Sequence, residues 1–587
     1  MTQDNKETGM QTSDEKAKRL EWFRDAKFGM FIHWGVYSHL AGEWKGTLIN
    51  RIGEQIMRFC EIPIKEYEMV AREFNPLHFN AEDWVLLAKN AGMKYIVITA
   101  KHHDGFAMFD SKCSDYDIID FTPFGRDPMK ELAEACQKHG IKLCFYYSQY
   151  QDWHSPHGAV KPPQWDGSLE ETKDFSIYMR EKGLPQVKEL LTQYGPIGLI
   201  WFDTPGGTKE HAKQFADLVH ELQPDCLVSP RIGFGLGDYQ GFGDNQVPSC
   251  SNTYVWETCA TMNNTWGYRK NDHNWKPTGT LLRLLVSIVS KGGNYLLNIG
   301  PTGEGIIPQP SVDRLLEIGQ WLKGNGEAIY GASGCLLPYE LEWGALTAKP
   351  GKLFIHFFDW PKTTFIFYGI RNKVKKAYLL VDEEQKGLKF RQEYNKSTDC
   401  HTLTVDLPGQ APDQYVSVLA LDIEASADID TTLMQQPDGN IALEGCLAKM
   451  YKAEEGSQIT VTASGIIEQW LNKEDWISWE FKVIEPGTYD VEMNTFTEKY
   501  SGSNPSMLWE GGHEFSLSTA GQEVRFIMTD DQRKIPRDLF HWQNVVTCCG
   551  RVTFDKPGLY TLDLKPIHLN TGMRLGPKIK SICLKHV

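Results

Sequence analysis

The chain has 587 residues, 41% hydrophobic and 23% charged, with a formal charge of -15 and a sequence pI of about 5.6. A chain this long exceeds one hydrophobic core, so two to four domains are expected, and its acidic balance disfavours nucleic acid, whose phosphates need basic residues. No apolar run reaches the ~18 residues of a membrane span, and the 13 cysteines, odd in number and without a CxxC pair, read as mostly buried thiols.

In chain order, residues 1 to about 20 are polar and are expected to be frayed, and Met1–Gly9 carries no apolar signal region. Lys27–Gly35 is a buried strand ending in His33 and Trp34, and Gly42-Glu43-Trp44 belongs in the loop above it. Asn80–Ala91 has helical periodicity with Asn80 as its cap, and the strand Lys94–Ala100 runs into Lys101-His102-His103-Asp104. A helix at Pro128–His139, stopped by Gly140, leads to the strand Ile141–Tyr147. Leu184–Tyr194 is the next helix, and Ile197–Phe202 the strand that delivers Asp203 to a Pro-Gly-Gly turn. Phe215–Leu222 and Asp225–Ser229 repeat the unit just before Arg231. Residues 232–252, rich in Gly, Asp and Asn, form an excursion over the sheet; Tyr254–Glu257 is a short strand, Leu281–Ser290 a helix, Asn294–Ile299 a strand and Val312–Gly324 a closing helix.

Alternating helices and apolar strands predict an α/β fold, a (β/α)8-like TIM barrel with one irregular or missing element, over residues 21–331. An open dinucleotide-binding sheet is disfavoured because no GxGxxG opens a helix after the first strand. Beyond Gly331 short alternating strands separated by Gly, Pro and Asp predict two β-sandwich domains, residues 332–425 and 441–587, joined by the polar bridge Asp422–Gly439. The last domain is either a carbohydrate-binding accessory module, for which Trp476, Trp479 and Trp509 are compatible, or a structural brace.

On a barrel the carboxyl ends of all strands share one mouth. His33, Trp34, His102, His103, Asp104, Tyr146, Tyr147, Trp201, Asp203, Arg231, Trp256 and Glu257 all fall at such ends. Histidines and carboxylates bond hydroxyls while indoles cover C–H faces, so the mixture suits a neutral polyol. Neighbouring residues of a strand face opposite ways, so at most one of Tyr146 and Tyr147 reaches the mouth. Splitting a glycosidic bond takes one ionised carboxylate and one proton-donating acid. Asp203 fits the first role, and Glu257 the second, with Asp238 and Asp244 of the Gly-rich loop as other candidates. A metal set built from the histidines and Asp203 has no supporting ligand spacing, and Trp34 and Trp256 are as well explained by packing.

Phe31-Ile-His-Trp-Gly-Val-Tyr-Ser38, Gly42-Glu-Trp44, Ala100-Lys-His-His-Asp-Gly-Phe106, Gly198–Asp203, Val255-Trp-Glu-Thr258, Thr265-Trp-Gly-Tyr268 and Lys291–Pro301 closely resemble glycoside hydrolase family 29, the retaining α-L-fucosidases. The resemblance covers about Glu21–Leu421 and implies a catalytic barrel joined to a β-sandwich, without metal or cofactor. It makes Asp203 the nucleophile, Glu257 or Asp244 the acid/base, and His33, Glu43, Trp44, His102, His103, Tyr147 (or Tyr146), Trp201, Arg231 and Trp266 the fucose subsite. The substrate implied is a fucosylated oligosaccharide or glycan; an oligomer is compatible with it, and a periplasmic or extracellular setting is expected. Where some relatives carry a loop acid, this chain has Gly243-Asp-Asn-Gln-Val-Pro248, with Gln246 in the acid's place. That departure leaves an α-L-galactosidase-like enzyme, or a fucose-binding protein without turnover, as alternatives.

Overall fold

The computed structural model describes residues 13–159, 173–462, 464–498, 509–534, 542–570 and 576–587. Residues 1–12 of the expected frayed start lie outside them, whereas Ser13–Arg19 is helical and Arg19 and Leu20 are already buried. Contacts divide the chain into two compact units. The first comprises 1–244, 254–277 and 294–323; the second comprises 245–253, 278–293 and 324–587.

The first unit is built on eight parallel strands: β1 Phe28–Ile32, β2 Tyr95–Lys101, β3 Lys142–Ser148, β4 Leu199–Asp203, β5 Leu227–Val228, β6 Gln240–Gly241, β7 Trp256–Thr261 and β8 Gly293–Ile299. They pair in the order β5-β4-β3-β2-β1-β8-β7-β6. Seven are the strands expected from sequence; the irregular eighth, β6, is only two residues long and lies inside the Gly-rich excursion. The helices between them start where the sequence provides caps. Asp127 accepts from the backbone N–H of Met129 and Lys130 at 2.9 and 3.1 Å, Pro128 opens the helix Pro128–His139, and Gly140 closes it in a left-handed conformation.

The curled sheet is not closed by a ladder between β5 and β6. Asp238 spans the seam: its N–H donates to Val228 O at 2.9 Å and its carboxylate accepts from Val228 N at 2.7 Å. Arg19 and His220 hold the same carboxylate at 3.4 and 3.1 Å, and Asp238 is 5% exposed. One candidate for the second catalytic acid is therefore a structural clasp. The barrel interior is filled by Phe31, Tyr95, Val97, Cys144, Leu199 and Leu296 among others.

The second unit is antiparallel. Gly344–Lys349, Lys352–Phe357, Ser417–Ile423 and Val374–Leu379 form one sheet, Thr364–Tyr368, Cys400–Asp406 and Phe390–Asn395 another, and two larger sheets follow, so the β-rich reading holds. The strand ladders follow the two expected regions, since among the described residues no sheet draws strands from both 344–423 and 441–586, and Leu433, Met434 and Gln435 of the bridge between them are buried. Gln435 Oε1 accepts from the N–H groups of Ile484 and Glu485 at 3.0 and 2.7 Å, which makes the polar bridge part of the packing. Cys250 and Cys446, 196 residues apart, form a disulfide that spacing did not reveal; the other cysteines are thiols, most of them buried.

Candidate active site

Register decides which strand residues face the cavity. In β3 and β4, Tyr146 lies beside Trp201 and Ser148 beside Asp203, so these four share a face while Tyr147 and Phe202 point away. Tyr146 donates its hydroxyl to Asp203 Oδ2 at 2.8 Å. Tyr147 instead donates to Gln186 Oε1 at 2.9 Å, with the Lys101 ammonium over its ring, on the helix side of the sheet. The choice of Tyr147 for the sugar subsite is thus corrected to Tyr146.

Asp203, 14% exposed, is gripped from several sides. Arg231 Nη1 contacts its Oδ1 at 3.1 Å and His103 Nε2 lies 3.8 Å from Oδ2. Burial pushes its carboxyl up, but Arg231 first, with the Tyr146 hydroxyl, holds it below the ordinary value, and His103 adds to this only in its charged form. Arg231 comes from the short turn Pro230–Ile232, whose carbonyls at Arg231 and Ile232 accept from Gln149 Nε2 at 3.0 and 3.2 Å. Its guanidinium stacks 4.8 Å over the Trp201 ring and pairs through Nη2 with Asp244. One guanidinium therefore bridges two carboxylates, Asp203 and Asp244, and both line the same cavity.

The histidines are neutral hydrogen-bonding groups. Burial, partly opposed by Asn298 and Asp203, lowers His33 to about 3. Asn298 Nδ2 donates to Trp266 O at 2.8 Å, so its Oδ1 is the acceptor that faces His33 Nδ1 at 2.7 Å, and the His33 proton sits on Nδ1. Likewise Ser148 Oγ donates to Gln151 O at 2.9 Å, leaving His103 Nδ1–H to donate to Ser148 at 2.7 Å. Burial brings His103 to about 4 and lowers His102 well below the ordinary value. His102 lies flat on Tyr146, ring centroids 5.4 Å apart, and Trp266 packs on His33 at 5.1 Å. In His33 and His103 the Nε2 lone pair remains as an acceptor for hydroxyl groups.

Glu257 is elsewhere. It is 4% exposed and does not line this cavity; it accepts from Tyr95 Oη at 2.7 Å, Trp201 Nε1 at 2.9 Å and Tyr239 Oη at 3.1 Å. Burial raises its pKa against the pull of those three donors. Its position, beneath Trp201 and fully bonded, suits an anchor for the indole. Glu43 and Trp44 form a hairpin with Thr47 and Leu48, Glu43 paired to Lys270 and Trp44 beneath Lys45, and neither lines the cavity. Trp34 and Trp256 are core residues, fully buried against Phe79 and Trp84 and against Phe242.

Glu54 carried no signal in the sequence, because it sits in the short turn Gly53–Gln55 without a periodic pattern. It lines the cavity, accepts from Gly267 N at 2.9 Å and so fixes the segment carrying Trp266, and burial raises it to about 7. Among the described residues no group of three or more His, Cys, Asp or Glu side chains is arranged to hold a metal ion, and no helix is long and apolar enough to cross a membrane.

Known proteins resemble the chain throughout. The alpha-L-fucosidase family profile matches residues 1–327. Rat (Rattus norvegicus) plasma alpha-L-fucosidase is 33% identical over 375 residues, 59% of this chain and 79% of the relative. The crystal structure of alpha-L-fucosidase from Vibrio sp. strain EJY3 superposes with a TM-score of 0.84 at 30% identity, covering 97% of this chain and 98% of that one. Alpha-L-fucosidase isoenzyme 1 from Paenibacillus thiaminolyticus superposes with a TM-score of 0.63 at 35% identity, covering 70% and 100%.

Proposed function

The chain belongs to the alpha-L-fucosidase family, and from that premise we propose that it releases terminal α-L-fucose from glycans with retention of configuration, Asp203 acting as nucleophile and Asp244 as acid/base. The observation that carries this reading is the Arg231 guanidinium shared by two carboxylates beside neutral histidines. A guanidinium that contacts both carboxylates holds them at one cavity, and retaining pairs stand about 5–5.5 Å apart. The Asp203 carboxylate bonds to the anomeric carbon as the bond to the leaving oxygen breaks, and Asp244, which leaves its ion pair with Arg231 and takes up a solvent proton on substrate binding, protonates that oxygen. Asp244 then takes a proton from water, whose oxygen bonds to the anomeric carbon and displaces Asp203.

The remaining lining supports the same substrate. His33 and His103 present Nε2 acceptors to sugar hydroxyls, and Phe31 and Trp266 offer an apolar wall to the methyl of a 6-deoxy sugar. Asp244, two residues before Gln246 and in the lining of the cavity, supports the reading of a loop acid in this chain. An exported setting belongs to the same proposal, supported by the Cys250–Cys446 disulfide; recovery of the chain only from the cytoplasmic fraction of its host would count against it.

The test follows the anomer formed by proton NMR and the azide products of two variants. Retention predicts α-fucose as the first product, a β-fucosyl azide from Asp203→Gly and an α-fucosyl azide from Asp244→Ala. Initial β-fucose would replace the mechanism with a single displacement, and rescue of Glu257→Ala in place of Asp244→Ala would return the acid role to Glu257.

A further inference from the structure

The second unit holds a cavity of about 340 Å³. Its walls come from the helix Thr278–Ser290, the segment around Tyr339–Leu346 and the strands Ile441–Glu444, Gly487–Glu498 and Ile579–His586. Both signs of charge occur on the wall, with Arg283 as a further cation whose partner Asp359 lies outside it. Lys291 pairs with Glu340, Lys580 reaches the same carboxylate at 3.9 Å, Lys585 meets Glu342 at 3.0 Å, and Lys534 lies 3.7 Å from Glu492. Leu337, Leu341 and Ala345 supply apolar wall between them.

Two polar atoms of this wall are left over. Glu444 is 5% exposed and its Oε2 is buried without a hydrogen-bond partner; Asn544 Oδ1 is in the same condition. Burial raises the Glu444 carboxyl to about 8, with Lys580 and Lys291 opposing and Glu340 reinforcing, so near neutrality it is an uncharged donor and acceptor. A stranded buried polar atom costs about 1–3 kcal/mol, and these two belong to residues of one cavity, where a bound hydroxyl would relieve that cost.

The wall also limits what that ligand is. Carboxylates and cations stand on the same wall, so hydroxyl groups, which both donate and accept, can meet either kind. A purely apolar guest would leave Glu444 and Asn544 unsatisfied. A neutral carbon frame bearing several hydroxyls satisfies both, with apolar wall for its C–H faces. We propose that this cavity is a second saccharide-binding site, separate from the one around Asp203, which takes a neutral sugar unit through Glu444 and Asn544. Of the three tryptophans compatible with a carbohydrate-binding module, Trp479 is buried with its indole N–H on Glu444 O at 2.8 Å, Trp476 stacks on Tyr451 with centroids 3.8 Å apart, and Trp509 donates its N–H to Thr495 at 2.7 Å.

Lactose, N-acetyllactosamine and N-acetylglucosamine are titrated calorimetrically against the full chain carrying Asp203→Ala, so that neither turnover nor a fucose residue complicates the heat. Saturable binding of at least one is expected, weakened at least tenfold by Glu444→Leu and by Ala442→Trp, which fills the cavity. In the chain with Asp203 intact, the same two changes leave hydrolysis of 4-nitrophenyl α-L-fucoside within twofold, which also reports correct folding. Absence of saturable binding, binding indifferent to both changes, or binding confined to sulfate or spermidine overturns the proposal. Should both variants fail to fold, soaking the same three saccharides into crystals of the unaltered chain decides it: density against Glu444 is expected, and an empty cavity overturns it. These readouts do not depend on fucose release, so failure of the hydrolytic mechanism and failure of the second site are separable.

Discussion

Above and below the Trp201 indole lie two carboxyl groups, each delivered by a barrel strand, and they are in opposite circumstances. Asp203, above, is held by a guanidinium and opens to the cavity. Glu257, below, is enclosed by two tyrosine hydroxyls and the indole N–H of Trp201 itself. Both lie close to a tryptophan in sequence, but Asp203 is the last residue of β4, whereas Glu257 is the second of β7, which runs on to Thr261. Parallel strands thus set the two acids at opposite ends, and closeness to an indole does not assign chemistry. The partner does: a cation keeps a carboxylate ionised and nucleophilic, whereas a ring of neutral donors makes it a fixed acceptor that holds another side chain.

The largest expected effect tests the upper carboxylate. Asp203→Ala should lower kcat/KM on 4-nitrophenyl α-L-fucoside by at least about 10³-fold. Asp244→Asn should cost about 10²–10⁴-fold on an unactivated fucoside and less on the aryl substrate, whose leaving group needs no proton. Tyr146→Phe removes a hydrogen bond to a charged carboxylate and should cost about 10–100-fold, while Tyr147→Phe leaves kcat/KM within about twofold, a contrast visible in parallel initial-rate assays. For the lower carboxyl, Glu257→Gln should leave kcat within about tenfold and remove about 1–2 kcal/mol of stability in urea denaturation, because Tyr95 can reverse its hydroxyl to accept the new amide. Selective loss of activity on natural linkages in Glu257→Gln would dissolve the distinction between the two sites.

The smallest effect concerns Glu54. Its folded pKa, about 7, lies above the ordinary 4.5, so its contribution to stability is full below 4.5 and is lost as pH rises through 7. Glu54→Gln should therefore flatten the fall in unfolding free energy between pH 5 and 8, by about 3 kcal/mol at most. An unchanged pH profile would mean that Glu54 is ionised in the folded enzyme.

Much of this site was readable because barrel strands leave a simple signature: an apolar run and then a polar cluster. Asp203, His33, His102, His103, Trp201 and Arg231 were found in that way, and all six line one cavity. Strand alternation restricted Tyr146 and Tyr147 to one, but only the register of β3 against β4 says which. Glu43 and Trp44 came from resemblance and lie on a hairpin with its own ion pair. Glu54, Asn298 and Ser148 act by orienting other side chains, and residue type and spacing say little about groups whose partners are remote in sequence. The same holds for the Cys250–Cys446 bond and for the Glu444 cavity, both assembled from distant segments.

Asp238 gives the barrel a latch where another barrel would have a zipper. Strands joined by a ladder must keep register, and adding or removing one residue turns every following side chain to the wrong face. A latch fastens at one point only and is indifferent to the length of chain beyond it. The stretch beyond it is the one that delivers Asp244, so this part of the chain can lengthen, shorten and re-aim that carboxylate while the sheet that carries Asp203 stays shut.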